Sequence, residues 1–123
     1  MDYVLPKLDY DYADLEPHYD AQTVELHHIK HHAGYVVGLN NAVTKLKEAR
    51  ESGDFSLVKH WEKELAFHGA GHELHSLFWK NLRKGSDENK AEGKVLEAIE
   101  KSFGSYDSFV NQFSSATATV EGS

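Results

Sequence analysis

Between residues 57 and 82, eight side chains recur at intervals of three and four: Leu57, Trp61, Leu65, His68, His72, His75, Trp79 and Leu82. Residues at those intervals share one face of an α-helix, so a single long helix is predicted, with that face buried. Three histidines stand in the middle of it. A buried imidazole needs a hydrogen-bond partner or a metal ion. A lone one is ordinarily a satisfied core histidine. Three in succession point to a partner helix carrying similar groups.

That partner lies upstream. From Ala21 to about Glu51 there is no proline, Leu39, Val43 and Leu46 recur at helical spacing, and KLKEARE places charges at the far end. Asp20 is a candidate N-cap for this helix. Ser52-Gly53-Asp54 reads as a stop and a restart, with Asp54 or Ser56 capping a second helix from about Ser56 to Leu82. Two long helices joined by a short turn make an antiparallel hairpin. Ahead of it, residues 1–19 hold both prolines and four of the six tyrosines, which predicts an extended aromatic lead-in packed on the hairpin. The stretch RKGSDENKAEG reads as a linker, and two shorter helices are predicted near 90–102 and 105–119, the second capped by Ser105. No strand pattern appears. The expected architecture is all-α: a lead-in and hairpin domain at 1–83, a linker at 84–93, and a further unit at 94–123.

The histidines of the first helix fall in VELHHIKHHAGY (24–35). Helical spacing joins His27 to His31 and Tyr35, and separately His28 to His32. Such a cluster serves a solvated face, a subunit contact or a metal. Periodicity does not choose among the histidines, since the stripe through Val24, Leu39 and Leu46 points nearer to His28 and Tyr35 than to His27. Two familiar metal motifs fail on spacing. GHELH (71–75) puts its histidines three apart where zinc proteases need four, and Glu25 with His28 has no counterpart on the second helix. Facing three inward histidines, the cluster favours a metal site between the helices. Gly34, Gly38, Gly69 and Gly71 each cost a helix about 1 kcal/mol against alanine, so they permit close approach or leave room. Lys30 reads first as a solvated lysine, and as a lone cation beside a histidine cluster its alternative role is to attract an anion.

Composition limits the chemistry. The chain has no cysteine, which excludes disulfides, thiolate metal sites and cysteine nucleophiles. Any metal is held by His, Asp, Glu, Tyr or backbone oxygen, a donor set suited to Mn, Fe, Zn or Cu. A formal charge of −7 argues against a general nucleic-acid binder. No apolar run approaches the length of a membrane span, and the acidic, aromatic start lacks a leader's pattern, so a cytoplasmic location is expected.

LPKLDYDYADLEPHYDAQTVELHHIKHHAGYVVGLN and GAGHELHSLFWKNL closely resemble the N-terminal half of the iron/manganese superoxide dismutases, and KSFGSYDSFVNQFSSATATVEGS looks like the start of that family's second, α+β domain. The resemblance implies dismutation of superoxide at one redox-cycling Mn or Fe ion. It implies His27 and His75 as metal ligands, Tyr35 as the tyrosine near the metal-bound solvent, His31 at the channel mouth and Trp79 on the pocket wall. Lys30 would lie near the substrate funnel. Gly71 occupies a slot where many iron members carry glutamine, which leans toward manganese. His28, His32, His68 and His72 are not implied as ligands. A homodimer or homotetramer is implied, with neither nucleic acid nor membrane as partner. The family's remaining aspartate and histidine ligands belong to a later segment, so the chain is expected to be a fragment with two of four protein ligands, inactive in isolation. The alternative is a helical-hairpin interaction module whose histidine cluster is structural or pH-sensitive.

Overall fold

The computed structural model describes residues 2–86 and 90–121. All regular structure among them is helical. They divide into two compact units, one ending at Gly85 and the other beginning at Ser86. Asp87, Glu88 and Asn89 of the expected linker lie outside the described residues. No described helix is long and apolar enough to cross a membrane.

The lead-in is tied down by its own aromatic and backbone groups. Tyr3 and Asn40 exchange two hydrogen bonds of 2.9 Å between backbone and side-chain amide. The Tyr10 hydroxyl donates to the Trp79 carbonyl at 3.1 Å. A 3-10 turn at Tyr12–Leu15 then buries Leu15 with Val24 and Trp79, among Leu8, Tyr10, Tyr12, Tyr19, Phe78 and Leu82.

Helix α1 (Ala21–Leu26) starts where Asp20 accepts from the Thr23 amide at 2.9 Å, and Glu16 accepts from the Ala21 amide at 2.9 Å. Both amides belong to the first turn, which has no helical partners of its own. The first rod is not the uniform α-helix that was expected. His27–His32 form a π-helical turn, in which the Ala33 amide reaches back five residues to His28, and α2 (Ala33–Ser52) follows. The burial pattern supplies the reason. Val24, His28, His32 and Val36 are all buried at steps of four. In a 3.6-residue helix each such step drifts about 40° around the axis. Widening one turn cancels the drift and keeps all four on the core side.

Gly53 ends α2 at φ 73, and its amide bonds Ala49 O at 2.9 Å. That left-handed conformation is the reason for glycine here. Asp54 accepts from the Ser56 amide at 2.9 Å, so it caps the turn rather than the next helix. Helix α3 (Val58–Lys80) begins two residues later than expected. Leu57 is therefore lifted off the predicted stripe and is 60% exposed. The short turn folds α3 back on α2, over buried Val36, Leu39, Ala42 and Leu46. Full burial of each Val or Leu contributes about 1.5–3 kcal/mol.

Two of the four glycines inside α2 and α3 are required by contact. A Cβ on Gly38 would fall on the His68 ring, and one on Gly71 would fall on the Tyr35 ring. Gly69 would meet Leu39 at an ordinary 3.6 Å, and Gly34 would meet nothing. Gly38→Ala is therefore expected to destabilise the chain by about 1–3 kcal/mol, while Gly34→Ala should stabilise it by about 0.5–1 kcal/mol. Urea unfolding of the two variants checks the opposite signs.

In the second unit α4 (Gly93–Phe103) and α5 (Tyr106–Ala118) are separated by Gly104 at φ 84. Ser105 caps α5 by accepting from the Ser108 amide at 3.1 Å. Phe103 and Phe109 pack across the bend with ring centroids 5.1 Å apart.

Candidate metal centre

The π-helical turn and α3 bring two imidazoles together. His27 Nε2 and His75 Nε2 lie 2.9 Å apart, with ring planes at 89°. His75 Nδ1 is 2.7 Å from the Gly71 carbonyl, one helical turn earlier. A carbonyl can only accept, so His75 carries its proton on Nδ1 and presents a lone pair at Nε2. His27 Nδ1 is 2.7 Å from the Tyr19 hydroxyl. Two bare lone pairs at 2.9 Å repel, so something positive must stand between them: a proton on His27 Nε2, or a metal ion. The spacing fits either: 2.9 Å is an ordinary hydrogen-bond length, and two nitrogens about 2.1 Å from a common ion and roughly at right angles are also about 3 Å apart. Each ring's outer nitrogen is also held, which fixes ring orientation as metal-binding histidines require.

His31 completes a group of three whose nitrogens all lie within 4.8 Å of one another. It is exposed, whereas His27 and His75 are half-buried. Its ring packs 5.4 Å from His27 and 5.0 Å from His75. Tyr35 is half-buried beside them, 5.0 Å from His31 and 5.2 Å from His75. Gly71 thus serves twice, giving its carbonyl to His75 and its missing side chain to Tyr35. Trp79 is 3% exposed and walls the pair, with its ring 4.9 Å from His27. Lys30 lies exposed on the π-helical turn.

The other histidines divide off by their partners. His28 is buried, with Nε2 donating to the Pro6 carbonyl at 2.8 Å and Nδ1 accepting from the Tyr12 hydroxyl at 3.0 Å. Both nitrogens are used, so it fastens the lead-in. His32 is fully buried. The Trp79 indole donates to its Nδ1 at 3.0 Å, which leaves the proton on Nε2, and that group donates to His72 Nδ1 at 2.9 Å. Tyr3 stands edge-on to His72 at 5.8 Å. His68 Nδ1 is buried without a partner among the described residues, and its Nε2 is 3.3 Å from Glu64.

The electrostatics favour the neutral ring at His32 and at His27. Burial first, and then His72, His75 and His28, push His32 down to about 4. Burial, followed by the neighbouring His75 and His31, lowers His27. A histidine ligand must be deprotonated at its donor nitrogen, so a lowered pKa suits metal binding. Burial also raises Tyr19, with Asp20 adding to it, so its phenol stays protonated. Tyr19 was not singled out in the sequence. Its contact crosses a turn, where no periodicity applies, and only the crowding of tyrosines in the lead-in hinted at it.

Residues 2–83 match the family model described as iron/manganese superoxide dismutases, alpha-hairpin domain. The chain is 51% identical over 122 residues to "Superoxide dismutase [Mn]" of Nocardia asteroides, covering 99% of this chain and 58% of that protein. It is 51% identical over 122 residues to "Superoxide dismutase [Fe]" of Mycobacterium tuberculosis, with the same shares of 99% and 58%. A "Probable superoxide dismutase [Fe]" of Bacillus subtilis is 48% identical over 120 residues, 98% of this chain and 42% of that protein. The chain thus spans about half the length of the curated relatives it matches. With the hairpin matched end to end, the chain belongs to the iron/manganese superoxide dismutases through their alpha-hairpin domain.

Proposed function

We propose that this chain supplies the hairpin half of a superoxide dismutase centre, in which His27 and His75 hold one manganese or iron ion. The 2.9 Å approach of their Nε2 atoms is the observation that carries this reading. The chemistry such an ion supplies is one-electron exchange, oxidising one superoxide to O₂ and reducing another, with two protons, to H₂O₂.

The chain's own residues set the conditions for that exchange. Gly71 O and Tyr19 hold the two rings in place. Trp79 keeps water from one side. Tyr35 packs its ring 5.0 Å from His31 and 5.2 Å from His75, which brings a phenol into the same cluster, and the Cβ-free Gly71 is what lets its ring fit. His31 belongs at the mouth rather than in the ligand pair, because it is exposed, whereas His27 and His75 are half-buried with their Nδ1 atoms held by Tyr19 and Gly71. Lys30, exposed on the same turn, gives an incoming anion a positive charge in a chain of net charge −7. Manganese is favoured, because Gly71 leaves no space for a glutamine without displacing Tyr35. Superoxide is the substrate, and a homodimer or homotetramer is the assembly in which we place the chain.

A chimera tests the proposal: residues 1–123 followed by the remainder of the Nocardia relative, loaded with Mn. It is expected to consume superoxide, and the 123-residue chain alone is not, since imidazoles from the hairpin leave an ion open to water. A chimera that folds and holds Mn but does not consume superoxide would overturn it.

A further inference from the structure

We infer that Tyr19 is a positioning residue for the metal, whose hydrogen bond to His27 reverses direction when the ion binds. The inference rests on His27 being a ligand, and it follows from counting protons on four groups in a row. Tyr19 Oη is 2.7 Å from His27 Nδ1, His27 Nε2 is 2.9 Å from His75 Nε2, and His75 Nδ1 is 2.7 Å from Gly71 O. The Gly71 end is fixed, because a carbonyl accepts only. His75 Nε2 is therefore a lone pair.

In the metal-free chain that lone pair must be met by a proton on His27 Nε2. A neutral imidazole carries one N–H, so His27 Nδ1 is then a lone pair, and Tyr19 donates to it. Binding an ion demands the opposite. His27 Nε2 must become a lone pair, its proton appears on Nδ1, and Nδ1–H now donates to the Tyr19 oxygen. No proton is gained or lost by the ring; it changes tautomer. Few groups serve both states. A carbonyl or carboxylate opposite Nδ1 would accept only, and a lysine would donate only. A hydroxyl does either, by rotation about its C–O bond. Tyr19 is half-buried, so its O–H can turn to water once it accepts. The two ligands are thereby held differently: His75 by a rigid backbone acceptor that presets its tautomer, His27 by a group that follows the metal.

The same residue count gives the control. Tyr12 offers His28 a hydroxyl at 3.0 Å in a comparable way, but His28 Nε2 is committed to the Pro6 carbonyl, so its tautomer has no reason to change.

Tyr19→Phe keeps the ring and removes the hydroxyl. With Mn²⁺ titrated into the 123-residue chain by competition with a chelating dye, Tyr19→Phe is expected to bind roughly 10- to 100-fold more weakly, the range for losing an outer partner of a ligating histidine. Tyr12→Phe should leave the affinity within about twofold. Long-range ¹⁵N–¹H correlation spectra of the wild-type chain give a readout that needs no variant. His27 should carry its proton on Nε2 without metal and on Nδ1 with Zn²⁺, a diamagnetic probe. Unchanged Mn²⁺ affinity in Tyr19→Phe, or an Nδ1–H tautomer already present without metal, would overturn the inference. His27→Ala separates the two levels. If it abolishes Mn²⁺ binding while Tyr19→Phe does not weaken it, the role of Tyr19 falls alone. If His27→Ala binds Mn²⁺ as wild type does, the metal centre falls with it.

Discussion

Replacing His75 by alanine is expected to lower Mn²⁺ affinity by at least about 100-fold, more than the loss of an outer partner alone would. The variant removes one of two nitrogens 2.9 Å apart and leaves the other ring facing an empty space. It also frees the Gly71 carbonyl, but that group sits in a helix and keeps its backbone partner, so folding should survive. His72→Ala is the informative contrast. His72 lies three residues earlier on the same helix and is equally a histidine, yet it serves as acceptor for the fully buried His32. Its loss orphans the His32 N–H, at a cost of about 1–3 kcal/mol in stability. Metal affinity should stay within a few-fold. Dye competition and urea unfolding on both variants separate ligand from scaffold. If the two variants lose metal equally, the division of the cluster is wrong.

Acid should destabilise the metal-free chain through His32. Its folded pKa is about 4 against an ordinary 6.5. As pH falls through 6.5 the unfolded chain takes up the proton and the folded chain does not. The unfolded state therefore gains, and stability declines until pH reaches about 4, where the folded state also protonates. The slope is up to about 1.4 kcal/mol per pH unit, or about 3 kcal/mol over the window. The physical cause is burial of a ring that already spends Nδ1 on the Trp79 indole and Nε2–H on His72. Unfolding in urea with chelator present, at pH 7.5 and 4.5, measures the loss. NMR titration assigns it. A His32 resonance titrating near 6.5 in the folded chain would contradict this account.

Much of the fold was legible because its signals are local. The interval pattern from Trp61 to Trp79 survives in α3, which stops at Lys80, short of Leu82, and Asp20, Gly53 and Ser105 cap or end their helices as their chemistry predicts. Leu57 was misread since a capped turn at Asp54 delays the helix by two residues and takes that side chain out of register. The site was less legible. Periodicity pointed to His28 as the inward residue, and His28 is indeed the more buried. The proposed metal pair lies one residue aside, at the edge of the core, where His27 is half-exposed. The choice of His27 came from resemblance, not from spacing. A π-helical turn cannot be read from periodicity, since one extra residue per turn looks the same as a stripe that wanders. Nor could Tyr19 or Pro6 be read as histidine partners, because their contacts cross irregular chain. Gly71 was read as a slot near the metal. The structure gives it a steric role as well, under Tyr35.

Anomalous diffraction at the manganese edge, on crystals of the chain grown with Mn²⁺, tests the shared ion most directly. One peak within about 2.3 Å of both His27 Nε2 and His75 Nε2 is predicted, allowing Mn–N bonds slightly longer than the 2.0–2.1 Å usual for zinc. A peak elsewhere, such as beside His68 and Glu64, or none at full Mn²⁺ occupancy in solution, would contradict it.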